Sequence, residues 1–208
     1  MTWVFYPDEG RYCDDETEEC LSVADLQEFL ERESHADEMF VAILAALLAQ
    51  GRLSEAGWSE ALWDEIVQAY TRQYALGRGG INAMTREDWR KLGKILDGQR
   101  KYYERFVREV TEGKLSEAQI GMRSSMYLSG ARQAYELAFA EMQRAAGMQE
   151  ERWVLSPGAK HCHDCLAFEA MGWQPLGTFP TPCDGSTQCL GNCRCHKEYR
   201  VAPPEGGG

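Results

Sequence analysis

HCHDC at residues 161–165 and CLGNCRCH at residues 189–196 are the two halves of the stretch that decides how this chain folds. Six of the chain's eight cysteines lie between residues 161 and 196. A Cys-x-x-Cys pair places two sulfurs on one tight turn, which suits two adjacent corners of a tetrahedral zinc site. The second half can supply the other two corners. The sequence therefore predicts a structural Zn²⁺ site whose candidate ligands are Cys162, Cys165, Cys189, Cys193 and Cys195.

The spacing of these cysteines favours one tetrahedral ion bound by Cys162, Cys165, Cys193 and either Cys189 or Cys195. It departs from the usual zinc ribbon, in which two Cys-x-x-Cys pairs stand about 15–20 residues apart. Two alternatives stay open, because the thiols could pair as disulfides or remain reduced as small buried side chains. The N-terminal MTWVFYPDEG shows no secretory signal, which disfavours disulfides in a reducing cytoplasm. Structural zinc is favoured over catalytic zinc, because there is enough thiolate to close the coordination shell.

Length and charge limit the class of protein. The chain has 208 residues and a net charge of −11, with 44% hydrophobic and 26% charged residues. This is an ordinary globular balance, sufficient for one domain and a small appendage. The negative charge argues against a general duplex-DNA binder, because affinity for phosphates comes from Lys and Arg. The longest apolar run, residues 39–49, is far shorter than the about 20 residues of a membrane-spanning helix. We therefore expect a soluble protein that does not contact a membrane.

Hydrophobic periodicity and capping residues predict a mainly α fold, a helical bundle or long helical hairpins with a small Cys-rich module of short strands and loops. The helical domain is predicted over residues 22–150, with a linker near residues 77–82. Its helices are expected at residues 22–51 (with a possible restart at Ser34), 54–76, 85–112 and 116–146.

Two apolar stripes predict how the last two of these helices pack. The stripe of the third is Trp89, Leu92, Leu96, Tyr103, Phe106 and Val110. That of the fourth is rich in small residues, which permit close helix approach: Ile120, Tyr127, Ala131, Ala134, Ala138 and Met142. The short connection between the helices predicts an antiparallel hairpin with the two stripes in contact. The third helix is also the most cationic element, which makes it a candidate contact for an acidic partner.

The remaining segments complete the predicted domain organisation. Residues 1–21 are expected to form an acidic N-terminal arm, and whether Cys13 and Cys20 join the metal site is open. Residues 151–200 form the Cys-rich metal-binding module, which begins with a short strand at 151–155. Residues 201–208 are expected to be a flexible tail. The module is too poor in aliphatic residues to fold on a core of its own.

The order of these features resembles a known family. A long helix ending in Gly, the segment WVLSPGAKHCHDC (residues 153–165) and NCRC (residues 192–195) together resemble the phage head-morphogenesis, or minor head protein, family of the Mu F-like group. The resemblance covers roughly residues 80–200 and leaves the first 80 uncovered. Members often end in His-Pro-Asn-Cys-Arg-Cys, whereas here Cys189 stands four residues before Cys193. The resemblance implies that the metal-ligand class is kept while the geometry of the loop changes.

This resemblance implies a structural protein of a tailed-phage virion, assembled in the host bacterial cytoplasm. It would dock, in multiple copies of a symmetric assembly, onto the portal or the major capsid protein. No His-Glu-x-x-His, Gly-x-Ser-x-Gly or P-loop motif is present, so no enzymatic activity is expected. Large aromatic residues outside the helical stripes are candidate interface anchors: Trp58, Tyr102 and Trp173.

Two other classes of function compete with this interpretation. A zinc-knuckle regulator could bind nucleic acid through basic residues around the cluster: Lys160, Arg194, Lys197 and Arg200. Residues 151–200 carry five acids and five bases, however, so the module has no excess of positive charge and nucleic-acid binding is expected to be incidental at most. A thiol oxidoreductase using Cys162 and Cys165 would need a βαβ pattern, which this sequence lacks.

Overall fold

The fold is mainly α, as predicted, with two small antiparallel sheets. The computed structural model describes residues 3–6, 9, 11–14 and 16–203, and within the first helix the side chains of residues 25, 26, 29, 32 and 37–49. The helices are α1 (Val23–Ala49), α2 (Glu55–Gly77), α3 (Arg86–Thr111), α4 (Glu117–Ser129), α5 (Ala131–Ala145) and α6 (His163–Ala170). The strands are β1 (Trp3–Tyr6), β2 (Arg11–Asp14), β3 (Cys20–Ser22), β4 (Glu150–Val154), β5 (Gln174–Pro175) and β6 (His196–Arg200).

The helices begin where the capping residues predict. Reciprocal capping boxes join Ser22 to Asp25, Thr85 to Asp88, and Ser116 to Gln119. Ser54 accepts a hydrogen bond from the backbone N–H of Gly57 at the start of α2. Helix α1 runs past residue 34 without the restart that the sequence suggested. Local side-chain chemistry therefore fixes where each of these helices starts.

The single helix predicted over residues 116–146 is instead two helices, α4 and α5, which meet at Gly130. A Cβ at Gly130 would lie 2.6 Å from the hydroxyl oxygen of Tyr70. Only glycine therefore lets the α4–α5 junction approach α2 this closely.

Helix α2 lies at the centre of the helical domain, and α5 packs closely along it. A Cβ at Gly77 would lie 2.4 Å from the carbonyl oxygen of Tyr135 on α5. The facing residues Ala131, Ala134 and Ala138 are all buried. The small residues of this stripe therefore lie where α5 closely approaches α2, whereas the sequence predicted that they contact the helix of residues 85–112.

Helix α3 packs chiefly on α2, and the predicted hairpin with residues 120–142 is not confirmed. Phe106 meets Trp58 at a ring-centroid distance of 5.5 Å, and Tyr103 meets Trp63 at 5.1 Å. The side-chain contacts of α3 with α4 include Tyr127, which stacks on Phe106 at 5.8 Å. Leu92, Tyr103, Phe106 and Val110 of the predicted stripe are buried and Leu96 is partly buried, but Trp89 is 46% exposed.

The described part of residues 1–21 is not a solvated arm. Strands β1, β2 and β3 form an antiparallel sheet in that order, in which Cys13 lies opposite Cys20 and forms a disulfide with it. Trp3 and Tyr12 are buried in a cluster with Leu26, Tyr135 and Phe139. The acidic residues 16, 18 and 19 lie exposed between β2 and β3. The acidic composition of this connection gave no signal for the three strands, which pack on α1 and α5.

The predicted linker near residues 77–82 is a packed turn beneath β1. The backbone N–H of Phe5 donates to the carbonyl oxygen of Gly79 at 3.1 Å. Gly80 has a φ of 120°, and a Cβ there would lie 2.5 Å from the carbonyl oxygen of Trp3. These glycines therefore allow the N-terminal sheet to contact the helices closely.

Across the described residues, no helix combines the length and apolar character needed to cross a membrane. Residues 204–208 of the predicted flexible tail lie outside the described residues.

Candidate metal centre

A three-stranded sheet of order β5-β4-β6 carries the Cys-rich module. Strand β4 occupies Glu150–Val154, within one residue of the predicted strand, and pairs with β6 so that Trp153 lies opposite Lys197. Trp153 is 1% exposed and contacts the rings of Phe168 and Phe179 at 5.2 and 6.2 Å. These three rings are the main carbon-rich part of an otherwise sulfur-lined interior.

The first half of the cluster lies at the N-terminus of α6. Cys162 is the N-cap residue of this helix, and Cys165 lies in its first turn. Their sulfurs are 3.5 Å apart. Although burial raises it, hydrogen bonds from Cys165 and Cys189 lower the pKa of Cys162, which favours the thiolate form that binds metals.

The loop before residue 190 brings Cys189 to this pair. The sulfur of Cys189 lies 3.6 Å from that of Cys162 and 3.7 Å from that of Cys165. The backbone N–H of Gln188 donates to Asp164 Oδ2 at 2.8 Å, which ties the loop to α6. The three sulfurs form one group that could hold a metal ion.

Cys193 and Cys195 form a second group with the same Cys165. The sulfurs of Cys165 and Cys193 are 3.7 Å apart, and all three are buried. The ring Nδ1 of His161 lies 3.7 Å from the sulfur of Cys195. The structure thus brings together all five cysteines proposed from the sequence, in two groups that share Cys165.

The sixth cysteine of the module has a different contact. The Cys183 thiol donates to the carbonyl oxygen of Cys193 at 2.9 Å. It belongs to neither of the two groups that the structure shows among the described residues. Cys183 therefore supports the backbone of the second group.

The pKa values of the clustered thiols diverge because the thiols share protons at close range. A hydrogen bond from Cys193 lowers the pKa of Cys195 to about 5, against the opposing effect of burial. The same hydrogen bond, with burial, raises the pKa of Cys193, and burial raises that of Cys165. Five thiolates this close together would repel one another. They can ionise together only when a bound cation compensates their charge, so metal binding releases their protons.

A buried carboxylate that the sequence analysis missed organises the loop beside the cluster. Glu151 is 1% exposed and accepts hydrogen bonds from the backbone N–H groups of Gly177 and Phe179 at 3.1 and 2.8 Å. It also pairs with Lys197 at 3.2 Å. The sequence signal for this role was weak. Glu151 stands out only because it occupies a core-facing position of a short strand.

Two of the four basic residues proposed for nucleic-acid contact are engaged within the module. Lys197 is 5% exposed, and Arg200 pairs with Glu150 at 2.6 Å. Only Lys160 and Arg194 of that set are exposed. This leaves little free positive charge for phosphates.

Trp173, proposed from the sequence as an interface anchor, contacts two arginines of this sheet. Its ring lies between the guanidinium groups of Arg152 and Arg200, at 4.9 and 4.3 Å from its centroid. Arg152 also pairs with Glu198. Trp173 therefore packs against arginines of β4 and β6 within the module.

The arrangement can hold a metal ion with sulfur ligands beside a small aromatic core. Comparison of the chain with protein-family models, with curated protein sequences and with solved structures finds no match.

Proposed function

We propose that the Cys-rich module is a structural zinc module and that its metal is one tetrahedral Zn²⁺. The supporting observation is the sulfur spacing. Zinc–sulfur bonds of about 2.3 Å place tetrahedral ligands about 3.8 Å apart. The sulfurs of Cys162, Cys165 and Cys189 lie 3.5, 3.6 and 3.7 Å from one another, and the sulfur of Cys193 lies 3.7 Å from that of Cys165. Cys189 is thus the better choice for the ligand that the sequence left open.

A structural role for the ion fits the composition of its surroundings. A catalytic zinc keeps an open position for water or substrate, whereas four thiolates close the shell. Cys195 then lies outside the shell and hydrogen-bonds to Cys193 and Cys165, and His161 lies beyond it, 3.7 Å from the sulfur of Cys195. We propose no enzymatic activity for this chain.

At the level of the whole chain, we propose a structural virion protein of a tailed phage. It would act as a minor head or head-morphogenesis protein that docks on the portal or the major capsid protein during assembly. The proposal rests on the resemblance of residues 80–200, above all WVLSPGAKHCHDC and NCRC. The helical domain would present the docking surface and the zinc module would brace its end.

The exposed aromatic residues narrow the candidate docking surface. Tyr102 is 71% exposed and Trp89 is 46% exposed, both on α3. Trp58, proposed as an anchor from the sequence, is 1% exposed and belongs to the core. Helix α3, with its exposed aromatics and cations, is therefore the proposed contact.

The direct test is to purify proheads and virions and to measure the copies of this chain per portal. A fixed ratio above one copy supports the proposal. Absence from every assembly intermediate, together with salt-dependent binding of the isolated chain to duplex DNA, would replace it with the zinc-knuckle regulator.

A further inference from the structure

A groove of about 520 Å³ runs between the first half of α2 and the second half of α3. It lies in the helical domain and makes no use of the cysteine cluster. The residues that determine its chemistry are Glu55, Glu60, Trp63, Asp64, Arg100 and Tyr103. We infer that this α2/α3 groove binds an arginine-containing basic segment of a partner protein.

The floor of the groove is aromatic and held in place. Trp63 and Tyr103 meet at a centroid distance of 5.1 Å. The Tyr103 hydroxyl donates to the carbonyl oxygen of Ser59 at 2.6 Å, which fixes the ring against α2. A fixed ring needs little ordering when a ligand binds, so its stacking energy goes into affinity.

The floor already holds a guanidinium. The Cζ of Arg100 lies 4.7 Å from the centroid of the Trp63 ring, within the range of a cation–π contact. The charges of Arg100 and Asp64 both act on the pKa of Tyr103, which burial raises to about 12. The position of Arg100 thus indicates that the groove accepts a guanidinium group over Trp63.

Arg100 is able to leave this position. It also pairs with Glu104 on the solvent side of α3, at 3.5 Å, and its side chain is 54% exposed. Exposed contacts of this kind contribute little stability, so moving Arg100 off the Trp63 ring costs little. An incoming arginine can therefore take the place over Trp63 while Arg100 keeps Glu104.

The rim supplies the negative charge that such a ligand needs. Glu55, Glu60 and Asp64 are exposed, and in the described part of the chain none of them has a cation within salt-bridge distance. A guanidinium stacked on Trp63 can donate to carboxylates at its edge, which a lysine ammonium does less well. Aromatic floor and carboxylate rim together select arginine over lysine.

The test is calorimetric titration of the full chain with hexa-arginine and hexa-lysine peptides at physiological salt. The arginine peptide should bind about tenfold more tightly than the lysine peptide, and Glu60→Gln/Asp64→Asn should weaken it about tenfold. The matched control, Asp97→Asn/Glu169→Gln, removes the same charge from exposed sites outside the groove and should change affinity less than twofold. Equal losses in both double variants would reduce the binding to general attraction and overturn the inference.

A second pair of variants tests the stacking itself. Trp63→Leu should lower affinity roughly threefold to tenfold, because it removes the ring and keeps an apolar floor. Arg100→Ala should raise affinity, since the ligand no longer competes with an internal guanidinium. A loss of affinity in Arg100→Ala would show that Arg100 is not a competitor, and the inference would fail even if the metal centre and the virion role stand.

Discussion

The helical domain and the Cys-rich module bury different types of side chain. The helical core contains large carbon side chains such as Trp58, Tyr70, Tyr74 and Phe106, each 0–1% exposed. In the module the buried hydrophobic residues are Trp153, Phe179 and four cysteines. Burying carbon stabilises a fold by itself, whereas clustered thiols contribute most when a cation binds them. The helical domain is therefore held together by the hydrophobic effect, whereas the module depends on the proposed metal for much of its stability.

Substitution of the shared sulfur should have the largest effect on the molecule. Cys165→Ser removes the one cysteine common to both groups, and structural zinc contributes on the order of 10 kcal/mol or more to small metal-dependent folds. We expect loss of about one zinc per chain and rapid amide exchange over residues 150–200, with residues 55–145 still protected. Elemental analysis and hydrogen-exchange mass spectrometry measure the two effects.

The control for this prediction is Cys183→Ala, because Cys183 contacts a carbonyl oxygen of the second group and not the sulfurs of the first. It should retain the metal and lose about 1–2 kcal/mol of stability from a hydrogen bond and a small void. If Cys183→Ala released the metal and Cys165→Ser kept it, the assignment of ligands would be wrong.

The helical side of the comparison is tested by Phe106→Ala. Phe106 is 0% exposed and lies among Trp58, Tyr103 and Tyr127, so the substitution should cost about 3–5 kcal/mol. Tyr102→Ala, four residues earlier on the exposed face, should change stability by less than about 0.5 kcal/mol. Urea unfolding followed by far-UV circular dichroism gives both values. Similar costs for the two variants would mean that α3 does not pack as described.

The boundary between the two regions contains a buried acid whose pKa predicts a pH effect. Glu136 on α5 is 1% exposed, and burial raises its pKa from 4.5 to about 7, although Arg132 lies 4.0 Å away. The unfolded chain releases this proton at lower pH than the folded chain does. Protonation of Glu136 therefore contributes fully to the free energy of unfolding below pH 4.5. This contribution is lost as the pH rises through 7.

Comparison with Glu136→Gln isolates this group. Between about pH 4.5 and pH 8 the variant should gain on the order of 2–3 kcal/mol relative to the original chain, because glutamine never ionises. Denaturant unfolding at several pH values decides the matter, and parallel curves for Glu136→Gln would refute the shift.

The sequence predicted those parts of the fold that depend on local chemistry. Helix starts at Ser22, Ser54 and Ser116 were predictable because a capping side chain bonds to its own helix. The break at Gly130 was not, since it depends on the distant hydroxyl of Tyr70. The sheet of residues 3–22 was missed because its strands are three or four residues long and its acidic connection dominates the composition.

The candidate site divides in the same way. Spacing was enough to propose the five clustered cysteines, because a turn of fixed length brings Cys162 and Cys165 together. The hydrogen bond from Cys183 to Cys193 forms only when the loop after β5 meets the segment before β6, and those of Glu151 form only when the same loop meets β4. A single sequence contains no local signal for such pairs, which are 10 to 28 residues apart.

The smallest predicted effect concerns how closely the helical domain is packed, and it compares two glycines in helices. Gly77→Ala places a methyl group 2.4 Å from the carbonyl oxygen of Tyr135 and 2.8 Å from the Cβ of Ala138. Overpacking costs about 1–3 kcal/mol, offset in part by the higher helix propensity of alanine, so we expect a net loss of about 1–2 kcal/mol. Gly98→Ala on α3 meets nothing within 4 Å and should instead gain about 0.5–1 kcal/mol. Thermal unfolding of the two variants should therefore shift in opposite directions. A gain in stability for both variants would mean that α2 and α5 separate easily. The helical domain would then not be as closely packed as described.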